Sequence, residues 1–407
     1  MKTISGNPFI RYDEKGNIFL DEAPIEKFTS LNETPVMIFF ENRIRENARN
    51  FKEIFSSTFS NFEGFYSLKA NFLDSVCKIL SSEGIGMELV GGPELDLALK
   101  CKVPPSQIIM GGPYLPEALI KKGINHKVKE IIVYDLDYLN AVNKIAKKCN
   151  QVQDVCLRVN SQKYESKLGI NITERNLKRI KKQVKGFKNL KIKTILSHYT
   201  SQMNSFHQYE KNINAIIEAA KALKECVPTL ENLNLGGGFP EATVMPPHQL
   251  KRIASKMYQS LKASKFDFQK IYFEPGRYLV GDSGLFLAEV LNCSEHRWIF
   301  LNVGNHLCPR FARCSLRFYN ASRINDAHKY PANFAGIVPT EQDVLSKNYF
   351  FTKRVENGDK ILITNVAAYC LTFSNRFPYK LPPIYLIKNE RIKKIFNPHK
   401  DVDFSLH

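Results

Sequence analysis

The chain has 407 residues, 43% hydrophobic and 24% charged, which exceeds one ordinary compact domain and supplies apolar material for a large core. Its 58 Lys and Arg against 40 Asp and Glu give a formal charge of +18, but no run of about 18 apolar residues predicts a transmembrane helix and no nucleic-acid motif accompanies the basic excess. The densest basic clusters, Lys178-Arg179 with Lys181-Lys182 and Arg391 with Lys393-Lys394, are interrupted by Ile180 and Ile392, so they read as solvated faces, and neither nucleic acid nor membrane is an expected partner.

The first ten residues are polar and do not read as a secretory signal. The segments 9–13 and 18–21 read as β-strands. Eight short apolar runs follow, at 64–69, 86–91, 107–111, 130–135, 154–160, 193–200, 232–238 and 270–276, each ending in glycine, polar or charged residues. Most are rich in Val, Ile, Leu, Phe or Tyr, as buried parallel strands are. Segments with helical spacing separate them. Phe72, Val76, Ile79 and Leu80 share a face, as do Leu139, Val142, Ile145 and Ala146, and Ile213, Ile216, Ala220 and Leu223. Eight strand–helix units predict a (β/α)8 barrel, because an open doubly wound sheet rarely runs so far without a switch. Beyond Gly281 the helical signal fades, and 285–291, 298–303, 360–365 and 383–387 read as strands. The expected organisation is an N-terminal segment, 1–35, that joins the β unit; an α/β barrel at 36–282; and a mostly antiparallel β unit at 283–407. Nine cysteines, an odd number with no Cys-x-x-Cys spacing, predict neither a disulfide framework nor a metal site, and favour a reducing cytoplasm.

Functional groups of such a barrel sit where its strands end. The first strand ends in Tyr66-Ser67-Leu68-Lys69-Ala70-Asn71. A lysine there either snorkels or, with a lowered pKa, condenses with an aldehyde. The sixth ends in His198-Tyr199-Thr200-Ser201-Gln202, an imidazole that can stack on a planar ring and hydroxyls that can bind phosphate. The seventh ends in Gly236-Gly237-Gly238-Phe239-Pro240. Three glycines let the backbone approach an anion and aim N–H groups at it, beyond what a tight turn needs. The spacing is that of neither a dinucleotide fingerprint nor a P-loop. The eighth ends in Glu274-Pro275-Gly276-Arg277, a carboxylate for a protonated ring nitrogen and a cation for phosphate. An amine, a stacking ring, an anion cradle and a carboxylate are together what pyridoxal 5'-phosphate (PLP) requires.

These motifs occur in order with Glu88-Leu89-Val90-Gly91-Gly92-Pro93-Glu94-Leu95, Leu157-Arg158-Val159-Asn160, Ser166-Lys167-Leu168-Gly169-Ile170 and Ala368-Tyr369. The chain therefore resembles the fold type III PLP-dependent decarboxylases, which include the diaminopimelate, ornithine and arginine decarboxylases. The resemblance implies an alanine-racemase-like barrel with a β domain, and a homodimer with shared active sites. It implies that Lys69 carries the cofactor as a Schiff base, that His198 stacks on its ring and that Glu274 contacts its nitrogen. Ser201, Gly236, Gly237, Gly238, Gly276, Arg277 and Tyr369 would complete its binding site.

The sequence departs from that family at telling places. The family's β domain carries a cysteine followed by an acid, inserted into the partner's site to protonate Cα. In Gly336-Ile337-Val338-Pro339-Thr340-Glu341-Gln342-Asp343 those positions hold Pro339 and Thr340. Glu341, Cys314, His306 or a water are the candidate proton donors instead. Tyr319-Asn320 lacks the aspartate of ornithine decarboxylases. Arg310 matches an arginine of diaminopimelate decarboxylases, but Cys314 replaces their tyrosine. Arg310 and Arg313, with Glu341, are the candidate substrate-binding residues and favour a second carboxylate on the substrate. The expected function is decarboxylation of a small diamino or dicarboxylic amino acid in a specialised pathway. An aminoacyl group tethered to an acidic carrier protein is a further candidate. The alternatives are a racemase on the same fold, disfavoured by a carboxylate at the ring nitrogen, and a non-catalytic regulator, disfavoured by survival of Lys69, His198, Glu274, Arg277 and Tyr369.

Overall fold

The computed structural model describes residues 1–29, 33–161 and 166–402; the last residues of the expected 283–407 unit lie outside them. Strands Phe62–Ser67, Gly86–Leu89, Ile108–Gly112, Glu130–Val133, Gln153–Arg158, Leu190–Leu196, Asn232–Asn234 and Lys270–Phe273 pair in parallel in chain order. The eighth returns to the first through Ile271 opposite Phe62 and Phe273 opposite Gly64, closing the barrel. Each strand overlaps an expected run. Phe65, Ile109, Ile132, Cys156, Leu196 and Tyr272, one from each of six strands, fill the lumen as one packed cluster. The apolar helix faces named above are buried against the outside of the barrel, in helices Asp74–Ser82, Asp137–Lys148 and Phe206–Lys224.

The second unit is built on a nine-stranded sheet whose long strand, Gly284–Cys293, pairs with Trp298–Leu301, Lys360–Thr364 and Val36–Phe40. The last of these corrects the expected start of the barrel at residue 36. Val36–Phe40 lies inside the β sheet, between Gly284–Cys293 and Ile384–Lys388. All five of its residues are buried. A strand covered on both faces has the same continuous apolar pattern in either unit, so periodicity does not assign it. The strands before it, Lys2–Ile4, Asn7–Tyr12, Ile18–Leu20 and Ala23–Pro24, form a sheet of their own. Ile10, Ile18, Leu20 and Phe28 pack it onto Val36, Ile38, Leu285 and Leu287. Strands Arg317–Asn320, Tyr330–Ala335, Val344–Phe351 and Arg391–Phe396 were not expected; most are polar and half exposed, so their apolar signal is weak.

Asp282 joins the parts. Its carboxylate accepts from Arg43 Nη2 at 2.7 Å, Asn47 Nδ2 at 2.8 Å and the Thr243 N–H at 3.0 Å, and its carbonyl accepts from Asn7 Nδ2 at 2.7 Å. Burial alone would lower the Arg43 pKa, but the Asp282 and Glu46 carboxylates together outweigh it and raise the pKa. Replacing Asp282 with Ala leaves the buried guanidinium with the partly exposed Glu46 as its carboxylate, and should cost about 3 kcal/mol. The urea unfolding midpoint checks this, and an unchanged midpoint would show that the hub is dispensable.

Candidate active site

Closure of the barrel brings residues some two hundred positions apart in sequence into one mouth. The Ser67 N–H donates to the Pro275 carbonyl at 3.2 Å, so the turn carrying Lys69 lies against the turn carrying Glu274 and Arg277. Between them opens a cavity of about 210 Å³. Lys69, His198, Ser201, Gly237, Gly238, Glu274, Gly276, Arg277 and Tyr369 all line it, joined by Ser67, Arg158 and Gln202.

Lys69 sits on the lip of the first strand with its Nζ 3.3 Å from Glu88 Oε2. Burial would lower its pKa, but the charges of Glu88, Tyr134, Tyr369 and Glu274 prevail and raise it. Of the two readings open for this lysine, the lowered pKa is not what these charges produce in the cofactor-free chain, where the amine stands as an ammonium. Glu88 is buried and also accepts a short hydrogen bond from the Ser67 hydroxyl. Opposite, Glu274 has its carboxyl pushed up to about 7, first by burial and then by the charge of Glu88. Asn234 donates to Glu274 Oε1 at 2.8 Å and accepts from the Gly236 N–H at 2.9 Å, so one side chain sets both the acid and the glycine turn.

That turn tolerates no side chain. Gly236 and Gly238 have φ of +66° and +93°, and a Cβ on Gly237 would lie 2.3 Å from the Glu274 carbonyl oxygen. The Gly237 N–H donates to His198 Nδ1 at 3.3 Å, which orients the imidazole. Phe239, immediately after, anchors the turn by packing its ring 5.2 Å from Phe51 and 5.3 Å from Tyr209. Arg277 is buried; Nη2 donates to the Ala312 carbonyl at 2.6 Å, and the guanidinium lies 4.8 Å from the Tyr369 ring centroid. Its Nη1 faces Glu241 at 3.5 Å and makes no hydrogen bond among the described residues. Tyr369 has φ +69°, uncommon for an aromatic residue, and its N–H donates to the Ala70 carbonyl at 2.6 Å.

This set fits PLP. The glycine turn offers a cradle that a Cβ would fill, Arg277 offers an unused buried N–H, and Lys69 and Glu274 supply an amine and a carboxyl across the cavity. The proposed substrate residues are placed otherwise. Arg310 and Arg313 are exposed on the turn that Arg277 holds through Ala312, outside the cavity wall. Glu341 is exposed in a separate surface pocket with Trp298 and Pro339. Its loop is anchored by buried Asp343, which accepts from the Asn305 and Val338 N–H groups at 2.6 and 2.7 Å. His306 lines a different cavity, with Tyr379 and Pro383, and Cys314 is packed with Cys308 and Cys370. None of these three candidate donors lines the cofactor cavity.

Two site residues had been given no role. Glu88 and Arg158 are charged residues inside short apolar strand runs, and that mismatch was the available signal. Arg158 Nη1 donates to the Tyr134 hydroxyl at 2.7 Å, and its charge lowers the pKa of Glu274 against the effect of burial. Glu241 carried no signal, since it follows the glycine motif as an ordinary loop acid.

The model of the pyridoxal-dependent decarboxylase pyridoxal-binding domain matches residues 41–281. The chain belongs to this decarboxylase family. It is 23% identical to diaminopimelate decarboxylase of Aquifex aeolicus, covering 96% of this chain and 94% of the relative. It is also 23% identical to that of Staphylococcus aureus, covering 95% and 96%. The crystal structure of diaminopimelate decarboxylase from M. jannaschii superposes with a TM-score of 0.87 at 22% identity, covering 98% of this chain and 99% of that one. The matched domain begins just after strand Val36–Phe40, in agreement with that strand's place in the β sheet.

Two outcomes test the geometry. Gly237→Ala should weaken PLP binding at least about tenfold, a loss of about 1.4 kcal/mol, measured by absorbance titration. For the cofactor-free protein, the Glu274 carboxyl is protonated at low pH in both folded and unfolded states. As pH rises from 4.5 toward about 7 the unfolded chain ionises first, so stability falls across that window. Glu274→Gln should flatten the fall of the urea midpoint there; an unaltered slope would mean that other groups carry it.

Proposed function

We propose that this chain decarboxylates a diamino acid of the diaminopimelate or lysine type, with Lys69 holding PLP. The convergence of Lys69, Glu274, the glycine turn and Arg277 on one cavity carries the reading. Support for the substrate class comes from the relatives. Several are named diaminopimelate decarboxylases, the M. jannaschii enzyme has also been solved with L-lysine, and a lysine decarboxylase of Selenomonas ruminantium has the same fold, with a TM-score of 0.76. Arg310 and Arg313, on the turn beside Arg277, would meet a second carboxylate at the rim. A homodimer suits the reading, because the anchored 336–343 loop has an exposed tip at Pro339, Thr340 and Glu341 free to reach a partner's site. An acidic carrier protein remains the partner that the +18 charge would favour.

When bound, PLP withdraws electrons from the substrate Cα and so lets the carboxylate leave as carbon dioxide. Glu274, aimed by Asn234, would hold a proton at the ring nitrogen. His198, fixed by the Gly237 N–H, would pack against the ring, and the glycine turn and Arg277 would hold the phosphate. Pro339 has no proton to return to Cα. The source we assign is Lys69: its Nζ, 3.3 Å from Glu88 Oε2, would carry the proton that Cα takes up once carbon dioxide has left. Glu88 keeps that nitrogen protonated until it is needed.

Carbon dioxide release from a panel of amino acids, with mass spectrometry of the amine, tests the assignment. Lys69→Ala should abolish release and the cofactor's near-visible band. Glu88→Gln should lower kcat about tenfold or more, equivalent to about 1.4 kcal/mol, and shift part of the product toward incorrectly protonated species. Release from no diamino acid, with PLP bound, would overturn the substrate class. Normal kcat in Glu88→Gln would overturn the proton route.

A further inference from the structure

Behind the phosphate end of the cavity lies a cluster that the proposed reaction does not use. The sulfur atoms of Cys308, Cys314 and Cys370 all lie within 4.8 Å of one another. Cys370 Sγ is 3.5 Å from Cys314 Sγ and 3.5 Å from Cys308 Sγ. Among the described residues this is the one such group of three potential metal ligands. Two of the sulfurs flank the Arg310–Ala312 turn and the third begins helix Cys370–Phe373, so the spacing 308, 314, 370 shows no motif in the sequence. Cys308 and Cys370 are buried, while Cys314 is partly open and gives an ion a way in.

Filling a core asks only for small apolar side chains. A metal asks for donors aimed at one point. Sulfurs about 2.3 Å from a tetrahedral zinc lie about 3.8 Å apart, close to the spacing found here. Three thiolates around a divalent ion leave one surplus negative charge. The Arg277 guanidinium, which lies against Cys314, offsets it. We propose that Cys308, Cys314 and Cys370 form a three-sulfur site for a thiophilic ion of the zinc class, its fourth position left to water or another small donor on the Cys314 side. Loading takes up one divalent cation and releases up to three thiol protons to solvent, with no change of oxidation state. The bound ion would tie the Arg310–Ala312 turn to the Tyr369 turn, and so brace two parts of the cofactor pocket from outside it.

Cadmium is the probe, added to the reduced full-length protein. The expected result is an ultraviolet thiolate-to-cadmium charge-transfer band that saturates near one ion per chain, with the partly open Cys314 thiol protected from a disulfide reagent. Cys314→Ala and Cys370→Ala, made separately, should each weaken binding at least tenfold. Cys293→Ala, away from the cluster, should bind as the parent does. Cys314 is only partly buried, so its variant serves even where Cys370→Ala fails to fold. No band in the parent protein, a band that survives Cys314→Ala, or equal reactivity of the Cys314 thiol with and without cadmium would overturn the site. None of these readouts depends on PLP or on carbon dioxide release, so the proposal stands or falls apart from the decarboxylase reading.

Discussion

The Ser67 amide and the Pro275 carbonyl meet where the barrel closes, and the site depends on that seam. A parallel strand has no tight turn to hold its end, so the register between first and eighth strands sets where Lys69 stands relative to Glu274 and Arg277, and the Thr372 hydroxyl and Tyr369 N–H, bound to the Lys69 and Ala70 carbonyls, hold it there. Gly276 allows the approach: a Cβ there would come within 3.1 Å of both Ala70 Cβ and the Tyr369 hydroxyl. Strand closure, a glycine without bulk and a lysine drawn to buried Glu88 together produce an amine across a cavity from an acid.

Electrostatics then sharpen what topology brings together. Glu88, Glu94 and Glu274 all lie near the mouth, and burial pushes Glu94 and Glu274 to about 7. The Lys69 ammonium lies among them, with Arg158 also acting on Glu274. Its pull lowers the pKa of Glu94 and Glu274 against burial, while Glu88 raises both. Glu94 and Glu274 are thereby poised near neutrality, as groups of proton-handling sites tend to be. A further buried acid, Glu130, sits at the other end of the lumen, where Thr194 donates to it at 2.6 Å and Tyr272 at 3.3 Å. It shares the raised carboxyl without reaching the cavity, which shows that a shifted pKa alone does not mark a catalytic group.

Much of this was legible in the chain. Buried barrel strands carry continuous apolar runs, and the groups that interrupt them at their ends are the ones facing the cavity: Lys69, His198, Gly237, Gly238 and Glu274, while Gly236 shapes the turn without lining it. Glu88 and Arg158 obeyed the same rule and were quoted without a role. Three matters were not legible. Val36–Phe40 reads equally as a barrel or a β-sheet strand, because both bury two faces. The state of Lys69 depends on charges from other strands, so burial alone suggested the wrong direction. The placement of Arg310, Arg313 and Glu341 depends on turns whose geometry no local pattern encodes, and the cysteine cluster joins segments some sixty residues apart.

Tyr369 belongs to the β unit, yet its N–H is bound to Ala70 of the barrel and its ring to Arg277 at the barrel's eighth strand. A phosphate gripped there would be held by both units at once. Separating them would then mean giving up the ligand, so thermodynamic linkage makes vitamin B6 phosphate a clasp across the domain boundary as well as a reagent. The strained backbone of a single tyrosine is thereby the place where folding, docking of the two units and cofactor retention become one equilibrium.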